Sequence, residues 1–253
     1  MNELTQLQML GAALILTLGG VIKGTTGFGL PLFAMSLLSQ IISIQLALAV
    51  LTLPIVASNL WLSLQGGFFV QSLKRFWPVI AAAGLGIFAG SHIAADMDQA
   101  FLLLTLGIVI IGTCLAEAFV PVGKAVIPPG TEKPFSLIMG FIGGVLGGLS
   151  TIFGPPLVLY LNLLRLPKDR FVAAIGVIFF FTSLFLFLAF GSVGILSTQT
   201  ALLSALAIPP VFVGQYIGAR LRSCMPQRFF QRIVLIFLLL LGMNLLRRAL
   251  FAV

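Results

Sequence analysis

The chain has 253 residues, of which 60% are hydrophobic and 8% charged, with a mean hydropathy of +1.19. A soluble domain carries about 25% charged residues, so this composition cannot make a polar skin and excludes a soluble fold; the reading is an all-α polytopic membrane protein whose outer surface is solvated by lipid. Fourteen Lys and Arg against six Asp and Glu give a net charge of +8. The basic residues lie in short loops between apolar runs, as expected for cytoplasmic anchoring rather than for a nucleic-acid partner.

A span needs about 20 apolar residues to cross about 30 Å of hydrocarbon. The first apolar region, 7–39, starts without a basic leader or a small-residue cleavage site, so no cleaved signal peptide is expected. It is interrupted at Lys23-Gly24-Thr25-Thr26-Gly27-Phe28-Gly29-Leu30-Pro31. Three plain spans follow at 44–64, 76–95 and 101–120. A second interrupted region covers 135–164 and breaks at Gly147-Gly148-Leu149-Ser150-Thr151-Ile152-Phe153-Gly154-Pro155-Pro156. Three more spans follow at 171–190, 201–219 and 229–246. Gly and Pro at this density cannot carry one straight helix, so each interrupted region reads as two short helices joined by irregular backbone.

This order repeats, and residues repeat with it. Gly19-Gly20-Val21-Ile22-Lys23-Gly24 aligns with Gly143-Gly144-Val145-Leu146-Gly147-Gly148, and Gly86-x-x-x-Gly90-x-His92 aligns with Gly214-x-x-x-Gly218-x-Arg220. The Met97, Gln99, Phe101 series aligns with Met225, Gln227, Phe229. The expected organisation is a first transmembrane repeat over 1–122, a cytoplasmic linker over 123–134 and a second repeat over 135–253.

Charge bears on the parity of the repeats. Lys74, Arg75, Lys124, Lys133, Arg165, Lys168, Arg170, Arg220, Arg222 and Arg228 can all be cytoplasmic if each interrupted region enters and leaves on one side. Each repeat is then a broken-helix hairpin plus three spans, an odd number of crossings, so the repeats are inverted and both termini lie outside. Arg247 and Arg248 oppose this assignment. The alternative lets each interrupted region cross once, giving eight spans in two parallel repeats of four.

Paired broken helices at equivalent positions point to a transporter's binding site. A break exposes backbone N–H groups that hydrocarbon penalises unless protein, solvent or ligand meets them. A helix N-terminus also carries about half a positive charge, which favours an anion. The candidate substrate-binding residues are therefore Lys23, Thr25, Thr26, Gly27, Phe28 and Gly29 at the first break, and Ser150, Thr151, Gly154 and Pro155 at the second. Lys23 sits deep in an apolar run, where it either snorkels to an interface or completes an anion site. Asn59 is a candidate lining residue. His92, with Asp96 one turn on, and Arg220 are candidates for proton coupling or gating, or alternatively interfacial anchors.

Enzymatic readings find no support. The chain has one His, no GxSxG, HExxH or Walker motif, and a Cys114 and Cys224 that form no metal-ligand spacing. No cofactor, metal or ATP-driven mechanism is expected.

The two breaks resemble those of the sulfite exporter TauE/SafE family, also called the toluene sulfonate uptake permease family. That family has a Gly-x-Gly-Phe-Gly-like stretch before a Pro near the N-terminus and a second Gly/Pro-rich stretch at mid-chain. Gly24 to Pro31 and Gly147 to Pro156 match these, with Thr151-Ile152-Phe153 standing where more glycines are common. The resemblance implies a multi-pass secondary transporter in the bacterial inner membrane, carrying sulfite, an organosulfonate or a sulfo-carboxylate. The candidate partners are that small anion, a coupling ion (proton or sodium), the bilayer, and a second copy in a homo-oligomer. The expected architecture is a ten-helix bundle of two five-helix repeats working by alternating access, with the site at the two breaks. A passive anion channel and a membrane scaffold without transport are the competing readings.

Overall fold

The computed structural model describes residues 6–65, 67–119, 130–221, 239–240, 242–244, 246–247 and 249. Lys124, Arg222, Cys224, Met225, Gln227, Arg228, Phe229, Arg248 and most of the expected span 229–246 lie outside the described residues, as do the side chains of Thr26, Gln99, Cys114 and Lys168. The ten described helices run in the order α1 (Gln6–Thr26), α2 (Leu30–Ile41), α3 (Ile44–Gln65), α4 (Phe69–Asp96), α5 (Gln99–Phe119), α6 (Glu132–Ser150), α7 (Gly154–Leu163), α8 (Lys168–Ser192), α9 (Thr198–Leu206) and α10 (Ile208–Leu221). No strand occurs among the described residues. Among the described residues six stretches are long and apolar enough to cross a membrane, with α9 and α10 counting together as one, Thr198–Leu221. The expected spans 44–64, 76–95, 101–120 and 171–190 correspond to α3, α4, α5 and α8.

Both interrupted regions break where expected, but over fewer residues. Gly27 (φ 85°) and Gly29 (φ 97°) adopt left-handed backbone that favours glycine, ending α1 and setting the direction of α2. Pro31, in the first turn of α2, takes a place that needs no intrahelical N–H bond. The second break is confined to Thr151, Ile152 and Phe153, and Thr151 itself is left-handed at φ 65°.

The chain divides into two compact units, and each takes helices from both halves of the sequence: one comprises 1–54, 97–114 and 197–253, the other 55–96 and 115–196. In the first unit α1 and α2 form an antiparallel hairpin whose ends lie together. Gln8 Nε2 donates to the Ile41 carbonyl at 2.9 Å near the open end, and Gly19 faces Leu30 near the bend. The other face of α1 packs on α10 with almost no side chain between them. A Cβ on Gly20 or Gly24 would strike the α10 backbone at Val211 or Gln215, and one on Gly214 or Gly218 would strike the carbonyls of Thr17 or Val21.

The second unit also holds a hairpin crossed by another helix. α6 and α7 form a hairpin in which Gly143 faces Phe153 and Leu157, and the Phe135 and Tyr160 rings meet at a tilt, 6.3 Å apart, toward its open end. Gly144 and Gly148 of α6 face the backbone of α4 at Ala83 and Ile87, while Gly86 and Gly90 of α4 face Phe141 and Val145 of α6. Adjacent glycines thus do different jobs: Gly19 and Gly143 face the hairpin partner, whereas Gly20 and Gly144 face the crossing helix. Small residues are what let apolar helices approach this closely where no water drives them together.

Candidate functional site

The first break is built at the end of α1. Lys23 is 4% exposed and stands in the last turn of that helix, where a cation offsets the partial negative charge of the terminal carbonyls. The Lys23 carbonyl accepts from Gly27 N at 2.7 Å, closing the turn. Thr25 is also buried, but its hydroxyl donates back to the carbonyls of Ile22 (2.8 Å) and Val21 (3.1 Å). It therefore has acceptor lone pairs to offer rather than a proton. Only the backbone of Thr26 is described. Gly27 and Phe28 lead into Gly29, the cap of α2, which supplies no side-chain cap. The first amide bonded within α2 is that of Phe33, to Gly29 O at 3.0 Å. The amides of Leu30 and Leu32 precede it and have no carbonyl to meet inside the helix, while Pro31 has no N–H.

At the second break the donors are fewer. Gly154 opens α7, but Pro155 and Pro156 behind it carry no N–H, so Gly154 alone among the first three residues presents an amide. Ser150 donates to Leu146 O at 2.7 Å and accepts from Ile152 N at 3.3 Å, so its proton is engaged. Thr151 differs from Thr25 and Ser150. It is fully buried, its amide bonds Gly147 O at 2.7 Å, and among the described residues its Oγ1 has no hydrogen-bond partner. A β-branched residue is rare in left-handed backbone, and a buried hydroxyl without a partner costs free energy. Both peculiarities fall on one residue at the mouth of α7.

Aromatic rings wall this break. Phe153 meets Phe179 of α8 edge to face, centroids 5.3 Å apart, and Gly154 lies under the same Phe179 ring. Asn59 is 1% exposed and donates to the Phe179 carbonyl at 3.2 Å, so it braces the wall from behind. Thr182, one turn beyond Phe179, is fully buried and its hydroxyl also lacks a partner among the described residues.

His92 and Arg220 lie on outer faces of their helices. His92 is exposed with Nδ1 2.8 Å from the Phe88 carbonyl, and among the described residues it forms no ion pair with Asp96. Arg220 is exposed and lies 4.8 Å over the ring of Tyr216, whose hydroxyl it also bonds. Gly90 and Gly218, two residues before them, face the crossing helices instead.

The sequence does not single out Phe153, Phe179 or Thr182; Gln215, which it offers only as an interhelical hydrogen-bonding group, has a buried Oε1 without a partner among the described residues. Phe153 stood inside the quoted motif. Phe179 and Thr182 gave no signal, because one Phe or Thr in an apolar run is indistinguishable from packing.

The model of the family described as "Sulfite exporter TauE/SafE" matches residues 12–245. The chain is also similar to a protein of Cupriavidus necator named "Probable sulfite/organosulfonate exporter TauE", at 26% identity over 223 residues covering 85% of this chain and 84% of the relative. No solved structure matches the chain. The family match spans both breaks and nearly the whole chain, and with the apolar helices it identifies a multi-pass membrane transporter, in bacteria of the inner membrane: the chain belongs to the sulfite exporter TauE/SafE family.

Proposed function

We propose that this chain exports a small sulfur oxyanion, sulfite or an organosulfonate, and that the two breaks supply its binding groups. The substrate class follows the family description and the name of the Cupriavidus necator relative. The observation that carries the binding assignment is Thr151: a fully buried hydroxyl without a partner among the described residues, beside the amide end of α7. An anion accepting from Thr151 Oγ1 and Gly154 N relieves the cost of both. Lys23 and the Leu30 and Leu32 amides are the corresponding donors at the first break.

We further propose that the chain is a duplicated pair of inverted repeats, each a hairpin plus three spans, working by alternating access. The return of each hairpin to its own starting end favours this over single crossings. The matched jobs of Gly19-Gly20 and Gly143-Gly144 favour duplication. The basic residues near the open end of α6–α7 favour a cytoplasmic opening there.

The test is efflux of radiolabelled sulfite and of a small sulfonate from proteoliposomes. The expected result is saturable efflux, accelerated by unlabelled anion on the opposite side. Flux that never saturates and shows no counterflow makes the protein a channel, and no flux with either anion overturns the reading.

A further inference from the structure

Apart from the breaks, the second unit holds a cavity of about 340 Å³ where the first turns of α4 and α8 meet. Its polar lining is Arg75, Arg170, Gln71 and the buried Ser72, and its apolar lining includes the Phe68 and Phe76 rings. The first amide bonded within α4 is that of Ser72, to Phe68 O, and within α8 that of Phe171, to Pro167 O. The cavity therefore lies at two helix N-termini, each with amides that no carbonyl of its own helix meets. Arg75 rests 5.3 Å over the Phe76 ring and is paired at 3.2 Å with Glu132. Among the described residues no carboxylate pairs with Arg170. Lys74, Lys133 and Arg165 lie beside these residues in sequence and are exposed.

From this juxtaposition of two guanidiniums, two helix starts and two phenyl rings, we infer a second anion site, for a sulfonate or phosphate oxyanion attached to an apolar body. Guanidinium forks bind tetrahedral oxyanions through paired charge-assisted hydrogen bonds. The phenyl rings suit a carbon substituent, and the volume exceeds what a bare oxyanion fills. Two sources carry this chemistry at a cytoplasmic face: a soluble organosulfonate and the headgroup of an anionic phospholipid. The site is separate from the breaks and does not depend on which anion the protein exports.

The experiment uses the full chain with two probes. Radiolabelled methanesulfonate is titrated against protein in phosphatidylcholine nanodiscs, and retained phosphatidylglycerol is counted by native mass spectrometry from neutral detergent. Arg170→Gln is expected to weaken at least one probe about tenfold, with Arg170→Lys keeping part of the affinity. Loss in the first arm identifies a soluble anion, loss in the second a lipid headgroup, and loss in both the shared chemistry. Glu132→Gln, which removes the competing carboxylate from Arg75, tightens the same probe severalfold. If Arg170→Gln leaves both probes bound as in the parent, or Glu132→Gln tightens neither, the site does not exist. Sulfonate efflux through the breaks is measured separately, so loss of this site is not mistaken for loss of transport.

Discussion

Ser204 of α9 fills the gap that Pro54 leaves in α3. Pro54 has no N–H to give the Val50 carbonyl one turn back, and the Ser204 hydroxyl donates to that carbonyl instead, at 3.0 Å. The same oxygen accepts from Leu53 N at 3.0 Å. A proline inside an apolar span is tolerable when a neighbouring helix satisfies the freed backbone group in this way. Ser204→Ala therefore leaves a buried carbonyl unpaired and costs about 1–2 kcal/mol. Pro54→Ala restores the N–H, so the serine substitution costs little in that background. Thermal unfolding of the four proteins in detergent forms a double-mutant cycle, and additive costs would show that the hydroxyl does not substitute for the missing bond.

The glycine crossings predict a sharp positional contrast. Alanine at Gly144 would drive its Cβ into the Ala83 carbonyl, and alanine at Gly214 into that of Thr17. Because the obstacle is backbone, the helices must separate, at a cost of about 1–3 kcal/mol. Gly112 in α5 has nothing within 4 Å of the same position. Gly112→Ala is neutral or stabilising by up to about 1 kcal/mol, since alanine is the better helix former. Unfolding midpoints of the three variants check the ranking.

What the sequence made legible was whatever changes backbone type. Gly27, Gly29 and Pro31 cannot continue a helix, so the first break was readable to within a few residues. Hairpin closure was a choice that charge alone left open, since it depends on contacts such as Gln8 with Ile41 that no local pattern encodes. The hydroxyls were read by type, and type was insufficient. Thr25 and Ser150 spend their protons on their own helices, and Thr151 does not, because its left-handed backbone turns it away from the preceding turn's carbonyls. The exchange of helices between compact units was hidden for another reason. Gly86 and Gly144 show in sequence only that something packs closely, not which helix does.

Thr151 separates stability from transport. Glycine at this position relieves the left-handed strain of a β-branched residue, about 1–2 kcal/mol, and also removes a buried hydroxyl without a partner among the described residues. Thr151→Gly is expected to unfold at a higher temperature than the parent and to export sulfonate at least tenfold more slowly (~1.4 kcal/mol). Thr151→Asn tolerates the backbone and restores a donor, so it should recover part of the rate. A glycine variant that is stabilised and transports normally would remove the hydroxyl from the site.

Lys23 poses the opposite question, whether a buried cation is kept for structure or for substrate. An ammonium at 4% exposure in an apolar helix is held at a cost. An apolar side chain of similar length does not carry that cost. Lys23→Met keeps the length of the side chain and removes the charge. If the cation serves the anion, this variant unfolds no earlier than the parent yet loses sulfonate efflux, while Lys23→Arg keeps the charge and part of the activity. If it serves α1, whose last turn it occupies, Lys23→Met unfolds earlier and the surviving folded protein exports at the parental rate. Efflux per folded molecule, measured beside the unfolding midpoint, distinguishes the two, and the anion-binding role requires the first result.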